Sequence, residues 1–146
     1  MEKYIKYPEV RWADLDPNFH LRHSVYYDYG AYCRICFLEE HGLTSALMQQ
    51  LHFGPIIFRE EAVFKREIKM GDKISVDVEV LKSRKDFSRW TMRHQIFKNE
   101  TTLSAIVTID GAWMNTVERK LAIPPETIVR VFDKMPRAES FEWVEK

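Results

Sequence analysis

A single long helix comes before a series of strand-like segments, and this order restricts the chain to few folds. In SVYYDYGAYCRICFLEE, residues 24–40, apolar or aromatic side chains such as Val25 and Tyr29 recur every three or four residues. That spacing is typical of one helical face. Ser24 is a suitable N-cap, and Gly42 follows as a suitable C-terminal stop. The pattern predicts a helix from Ser24 to residue 40.

Four strand patterns follow the helix. The clearest, KISVDVEVLKS, alternates Ile74, Val76, Val78 and Val80 with polar residues, as a half-buried strand does. The four segments span residues 55–68, 73–83, 88–98 and 101–116. A fifth strand is predicted before the helix, over residues 3–12, with short helices over 44–50 and from Pro124.

These elements predict one α+β domain over residues 1–146, with a long helix against a five-stranded, antiparallel sheet. One helix covers only one face of such a sheet. Apolar residues left on an edge or on the other face favour a homodimer or homotetramer.

Charge and hydropathy exclude several partners. The chain has 22 basic and 22 acidic side chains and a formal net charge of zero, which argues against general nucleic-acid binding. No segment approaches the length of apolar residues that spans a membrane. The N-terminal MEKYIKYPEV lacks the apolar run of a signal peptide, so a cytoplasmic location is expected.

The two cysteines, Cys33 and Cys36, have the C-x-x-C spacing of a redox pair or half a zinc site. They fall inside the helical pattern, and the chain has no second cysteine pair. We interpret them as small core side chains. No His, Asp or Glu set has a persuasive ligand spacing, so no metal is expected.

The helix is preceded by a turn that is unusually rich in chemically active side chains. Asp14, Asp16, His20 and His23 lie within ten residues. A carboxylate such as Asp16 serves as a nucleophile or general base in some enzymes, but aspartate is also common in ordinary turns. The residues alone leave both readings open.

The segment VRWADLDPNFHLRHSVYYDYGAYCRICFLEEHGL resembles the opening of hotdog-fold acyl-CoA thioesterases of the 4-hydroxybenzoyl-CoA thioesterase type. KMGDKISVDVEVL and AIPPET resemble a Gly-Asp turn between strands and the end of that family. The resemblance covers nearly the whole chain and implies a hotdog fold, in which the sheet wraps the long helix. Phe19 stands where the family commonly has Gly, and Arg22 and His23 stand where some members have two Asn.

The resemblance also implies site roles. Asp16 matches the family's catalytic acid, as nucleophile or general base, and His23 falls where the family places the first amide of the helix. The backbone N–H of His23 is therefore the candidate donor to the thioester carbonyl. Asp14 is expected to orient the turn, and His20 to contact the substrate or pack within the turn.

The carrier and the acyl group need further contacts. Arg84 and Lys85 lie where some family members hold coenzyme A phosphates, and Tyr26 and Phe58 are candidate acyl contacts, Phe58 from a partner subunit. The expected substrate is an acyl-CoA or acyl-carrier-protein thioester, with coenzyme A as part of the substrate and no cofactor. His94 is expected to be an interior or interface histidine. A hotdog dehydratase and a non-catalytic acyl-thioester binding or scaffold protein are the alternatives.

Overall fold

The computed structural model describes residues 2–145, which form three α-helices and eight strands of one sheet. The helices are α1 (His23–Glu40), α2 (Ser45–Leu51) and α3 (Glu126–Phe132). The strands are β1 (Ile5–Lys6), β2 (Phe53–Phe64), β3 (Ile74–Asp77), β4 (Glu79–Arg84), β5 (Arg89–Lys98), β6 (Thr102–Asn115), β7 (Lys120–Leu121) and β8 (Arg137–Val144). A 3₁₀ turn, Trp12–Asp14, precedes α1.

The long strands β2, β6 and β5 are the centre of the sheet and pair antiparallel in that order. β3 and β4 share the other edge of β5, and β1 and β8 extend the sheet from them. Two rows of paired residues mark its ends. The Phe64 end is the row of Phe64, Ala105 and Ile96, and the Ile57 end is the row of Ile57, Gly111, Trp90 and Ser83.

The α+β prediction is confirmed, but the five-stranded antiparallel sheet is not. The predicted strand over 3–12 pairs only at Ile5–Lys6, and Pro8, just after it, has no N–H to donate to a ladder. The predicted strand over 73–83 divides at Val78 into β3 and β4. β8 was not predicted, and it pairs parallel with β4.

Helix α1 is fixed on the sheet by a close approach between Gly30 and His94. A Cβ on Gly30 would lie 2.8 Å from the His94 Cδ2 atom. His94 is fully buried on β5, as predicted for an interior histidine, and burial lowers its pKa to about 3, so the ring is neutral. Its Nδ1–H donates to the Asp77 carbonyl at 2.7 Å, and Nε2 accepts from Arg34 Nη1 at 2.8 Å.

Of the two cysteines predicted as core side chains, Cys33 is one and Cys36 is only half-buried. Both are free, and Cys33 is fully buried on α1, where burial raises the pKa of its thiol to about 12. A thiol that stays protonated is a poor nucleophile. Among the helices of residues 2–145, none is both long enough and apolar enough to cross a bilayer.

The Gly30–His94 contact generates the first prediction. Gly30→Ala should destabilise the protein by about 1–3 kcal/mol, because the new methyl group meets a ring that two hydrogen bonds hold in place. Urea unfolding measures the effect. Gly54→Ala is the matched control, since its Cβ would lie 3.7 Å from Thr116 Cγ2, an ordinary contact. A Gly30→Ala protein as stable as wild type would show that the His94 ring can move aside without lowering the free energy of unfolding.

Candidate active site

The turn before α1 is closed at its base and holds Asp16 at its centre. Leu15 and Leu21 form an isolated antiparallel bridge. Inside it, the Asp16 N–H donates to the His20 carbonyl at 2.8 Å, and the Phe19 N–H donates to the Asp16 carbonyl at 2.9 Å. The five residues from Asp16 to His20 therefore form a tight loop.

The half-buried carboxylate of Asp16 is oriented through one oxygen only. Its Oδ1 accepts from the backbone N–H groups of Asn18, at 2.8 Å, and His20, at 3.0 Å. Within residues 2–145, Oδ2 accepts no hydrogen bond. One oxygen is thus anchored and the other is available.

Phe19 explains why a glycine is common at this position in the family that the sequence resembles. Its φ angle is +65°, in the left-handed region that glycine enters freely. A side chain there costs about 1–2 kcal/mol. The Phe19 ring packs on Trp12, with 6.3 Å between the ring centroids, and both rings are largely exposed.

Helix α1 begins at His23, so the predicted Ser24 cap is wrong. Arg22 is the N-cap residue, and no side chain caps the helix. Ser24 lies in the first turn, where its hydroxyl accepts from Arg22 Nε at 3.0 Å. Among the described residues, the N–H groups of His23 and Ser24 have no hydrogen-bond acceptor. They carry the partial positive charge of a helix start, which favours a developing oxyanion.

Asp14 holds the loop in place and does not share a strand with Asp16, because the chain forms a 3₁₀ turn here. Its buried carboxylate accepts from the Arg11 backbone N–H at 3.0 Å and from Arg11 Nη2 at 2.7 Å. The Arg11 guanidinium holds the pKa of this carboxyl below its usual range. The Asp14 carbonyl also accepts from the Arg22 N–H at 2.7 Å, which connects the turn to the helix start.

Two further predicted residues lie beside Asp16. His20 Nε2 is 3.1 Å from the Glu67 carboxylate, a partner that sequence reasoning missed because Glu67 read as an ordinary polar strand position. Tyr26 is buried and packs edge-to-face on Phe64, with 4.9 Å between ring centroids. The structure therefore gathers Asp16, His20, His23 and Tyr26 around the start of α1, at the Phe64 end of the sheet.

The other predicted residues lie at the opposite end of the same chain. Phe58 is next to the Ile57 row, and Arg84 and Lys85 follow Ser83 of that row. The Arg89 guanidinium lies 5.1 Å from the centre of the Phe58 ring. Phe64 lies six residues after Phe58, about 20 Å along β2. One chain therefore does not bring Phe58, Arg84 or Lys85 to Asp16.

Basic side chains nevertheless converge at the Ile57 end. A cavity of about 420 Å³ is lined by Phe58, Lys82, Arg89 and Asp110. A neighbouring cavity of about 260 Å³ is lined by Arg84 and Arg89. Across residues 2–145, His, Cys, Asp and Glu side chains form no group of three or more that could hold a metal ion.

Several solved structures share this fold at low sequence identity. A hypothetical protein from Staphylococcus aureus, in complex with coenzyme A, superposes with a TM-score of 0.82 at 18% identity, covering 94% of this chain and 88% of that one. A 1,4-dihydroxy-2-naphthoyl-CoA thioesterase from Synechocystis gives 0.80 at 16% identity, with 91% and 97% covered. A Thermus thermophilus thioesterase complexed with coenzyme A and zinc gives 0.70 at 25%, with 86% and 94% covered.

The sequence itself matches a protein family across most of its length. The profile of the thioesterase-like superfamily matches residues 10–132, from before the Asp16 turn to the end of α3. A comparison with curated proteins finds no match. The chain belongs to the thioesterase-like superfamily, and it is an enzyme of the thioester hydrolase class.

Proposed function

We propose that the protein hydrolyses acyl-CoA or acyl-carrier-protein thioesters at the start of α1, with Asp16 as nucleophile or general base. The observation that carries the proposal is that a free carboxylate oxygen, Asp16 Oδ2, lies in the turn that leads directly into the uncapped helix start at His23. A thioester carbonyl bound between them meets an attacking oxygen on one side and backbone donors on the other.

Two routes use the same groups. In the first, Asp16 Oδ2 attacks the carbonyl carbon, the C–S bond breaks, and water then hydrolyses the acyl-aspartate anhydride. In the second, Asp16 takes a proton from a water molecule as that water attacks, and the thiolate leaves directly. In both, charge develops on the carbonyl oxygen, where the His23 N–H stabilises it.

The cations at the Ile57 end support coenzyme A as the carrier. Lys82 and Arg89 line one open cavity there, Arg84 and Arg89 line the next, and Lys85 follows Arg84 in the chain. Phosphates bind such groups through charge-assisted hydrogen bonds. Coenzyme A is present in the Staphylococcus aureus and Thermus thermophilus structures of this fold. Arg84 and Lys85 are proposed to hold the phosphates.

A homodimer can bring together the two groups of site residues that lie far apart in one chain, the Asp16 turn and the group of Phe58, Arg84 and Lys85. Strand β2 pairs only with β6 within residues 2–145, and its other edge carries half-exposed Ile57, Phe58, Val63 and Phe64. An unpaired edge that exposes apolar side chains on both sides of the charged residues Arg59, Glu60 and Glu61 is open to a second strand. Antiparallel pairing of β2 with its copy puts the Ile57 end of one subunit against the Phe64 end of the other. Phe58 and the cations of one chain then reach the Asp16 turn of its partner.

Asp16→Asn tests the chemistry. The change keeps the size of the side chain and removes its charge and basicity, so kcat should fall about 10²–10⁴-fold. The Kd of a non-hydrolysable acyl-CoA analogue should change little. Release of coenzyme A from a panel of acyl-CoAs, followed with a thiol reagent, measures turnover.

Two neighbours serve as controls for Asp16→Asn. Asp14→Asn should lower the Tm by a few degrees, on the order expected for one charge-assisted hydrogen bond, with a smaller loss of kcat. His23→Ala should be mild, because the backbone donor remains. Near-wild-type turnover by Asp16→Asn would overturn the catalytic assignment and favour another base or an acyl-thioester binder.

The dimer predicts a change of mass. Light scattering at micromolar concentration should give at least twice the monomer mass, and Val63→Glu should shift the protein towards monomer, because it places a charge on the free edge of β2. Val117→Glu is the control, since Val117 is 67% exposed and outside β2. A wild-type protein that is only monomeric would contradict the proposal.

The carrier site predicts a split between kinetic constants. Replacing both Arg84 and Lys85 with Ala should raise KM for acyl-CoA about tenfold and affect kcat less, because remote contacts bind ground and transition states alike. A short thioester without the nucleotide should be hydrolysed normally. The control replaces Arg130 and Lys134, two exposed basic residues that line neither cavity. Equal losses on both substrates would exclude phosphate binding by Arg84 and Lys85.

A further inference from the structure

A second feature of α1 bears on which acyl group the enzyme takes. The middle of the helix, the sheet and the end of α3 enclose a cavity of about 250 Å³. Its wall is largely aromatic and aliphatic, with Trp90, Trp113 and Phe132 all buried. Ile35 and Ile57 are 40% and 48% exposed at its rim, so the cavity opens beside the free edge of β2.

Every conventional hydrogen-bonding side chain in this wall is a donor. They are the guanidinium of Arg34 and the indole N–H groups of Trp90 and Trp113. Both indole N–H groups are buried without a hydrogen-bond partner among the described residues. Neither indole nitrogen has exposed surface, so Arg34 is the donor of the three that is left to contact a ligand in the cavity.

Arg34 adds a largely buried charge, and its close acid, Glu60, does not hydrogen-bond to it. Its side chain is 14% exposed. It donates to His94 Nε2, but His94 is neutral and contributes no negative charge. The nearest acid, Glu60, is 3.9 Å away, too far for a hydrogen bond. A buried cation without a hydrogen-bonded counter-charge is destabilising, and an anionic ligand would relieve this.

We infer that this cavity binds the acyl part of the substrate and selects a compact acyl group that ends in a carboxylate, held by Arg34. The inference rests on the proposed thioesterase function. The cavity volume suits a compact acyl group. A cavity of about 150 Å³ accepts benzene, and one of about 250 Å³ leaves room for a substituent on the ring. A long fatty-acyl chain does not fit without opening the wall.

The position of Arg34 indicates which subunit supplies the carbonyl site. Arg34 comes eleven residues after His23, about 16 Å along α1, which is longer than the reach of a single aromatic ring. In the proposed dimer, the two-fold axis that pairs β2 antiparallel also sets each α1 antiparallel to its copy. The helix start of the partner subunit then lies towards this cavity, and one site draws on both chains.

Two CoA thioesters of nearly equal shape test the selectivity. Wild-type enzyme should hydrolyse 4-carboxybenzoyl-CoA with kcat/KM about 10- to 100-fold above that for 4-isopropylbenzoyl-CoA, the range of one charged hydrogen-bond contact. Arg34→Met should abolish this preference, and Arg34→Lys, which keeps the charge and is the more conservative change, should retain part of it. Arg130→Met, on the exposed face of α3, should leave the preference intact.

Outcomes of this assay separate the two proposals. Hydrolysis of both thioesters at equal rates, or an equal loss on both in Arg34→Met, overturns the carboxylate site and leaves the thioesterase function standing. If neither thioester is hydrolysed, the affinities of the enzyme for the two compounds are measured by calorimetry instead. Equal affinities would again overturn the carboxylate site. Loss of activity on both in Asp16→Asn supports the function independently.

Mixed dimers test whether each site combines Asp16 of one chain with Arg34 of the other. Asp16→Asn and Arg34→Met proteins, each impaired on 4-carboxybenzoyl-CoA, are mixed and allowed to exchange subunits. If Asp16 of one chain works with Arg34 of the other, half the molecules are heterodimers with one intact site each, and about a quarter of wild-type activity returns. No recovery after confirmed exchange would overturn the two-chain site.

Discussion

The contact between Gly30 and His94 sets the position of helix α1, and of the side chains that it carries, on the sheet. Because residue 30 has no side chain, α1 lies directly on a histidine that is fixed by the Asp77 carbonyl below and Arg34 beside it. The ring stays neutral because burial lowers its pKa to about 3. This single contact therefore determines both how deeply α1 sits and where the Arg34 guanidinium is held.

At the start of α1, local stability is lower than the chain could achieve. An aspartate or serine cap at residue 22 would satisfy the first N–H groups and stabilise the helix by about 1 kcal/mol. Arg22 is there instead, and Phe19 accepts a left-handed conformation three residues earlier. The Asp14–Arg11 ion pair compensates by holding the turn from behind. Unpaired donors and backbone strain at one place are typical of a functional site.

Sequence reasoning found the parts of this molecule that depend on local spacing. The helix, the strands over 55–68, 88–98 and 101–116 and the interior position of His94 follow from periodicity, and the first helical residue, His23, follows from the family resemblance. It failed where the partner is distant in sequence. β8 exists because β4 offers it an edge, and the extended residues 7–11 find no partner strand. Glu67 beside His20 and Arg34 beside His94 are likewise products of tertiary packing, with no signature in the nearby sequence.

In the proposed function the two ends of the sheet divide the work, and this division accounts for the exposed apolar side chains near both ends of β2. The Phe64 end holds the Asp16 carboxylate and the helix start, while the Ile57 end holds the basic side chains proposed to bind the carrier and the mouth of the cavity that Arg34 lines. Neither end is sufficient in one chain, because about 20 Å of β2 separates them. An antiparallel two-fold at β2 is the simplest symmetric arrangement that joins unlike ends. The exposed side chains Ile57, Phe58, Val63 and Phe64 then both hold the subunits together and line the passage between carbonyl and acyl group. In this arrangement assembly and catalysis depend on the same strand.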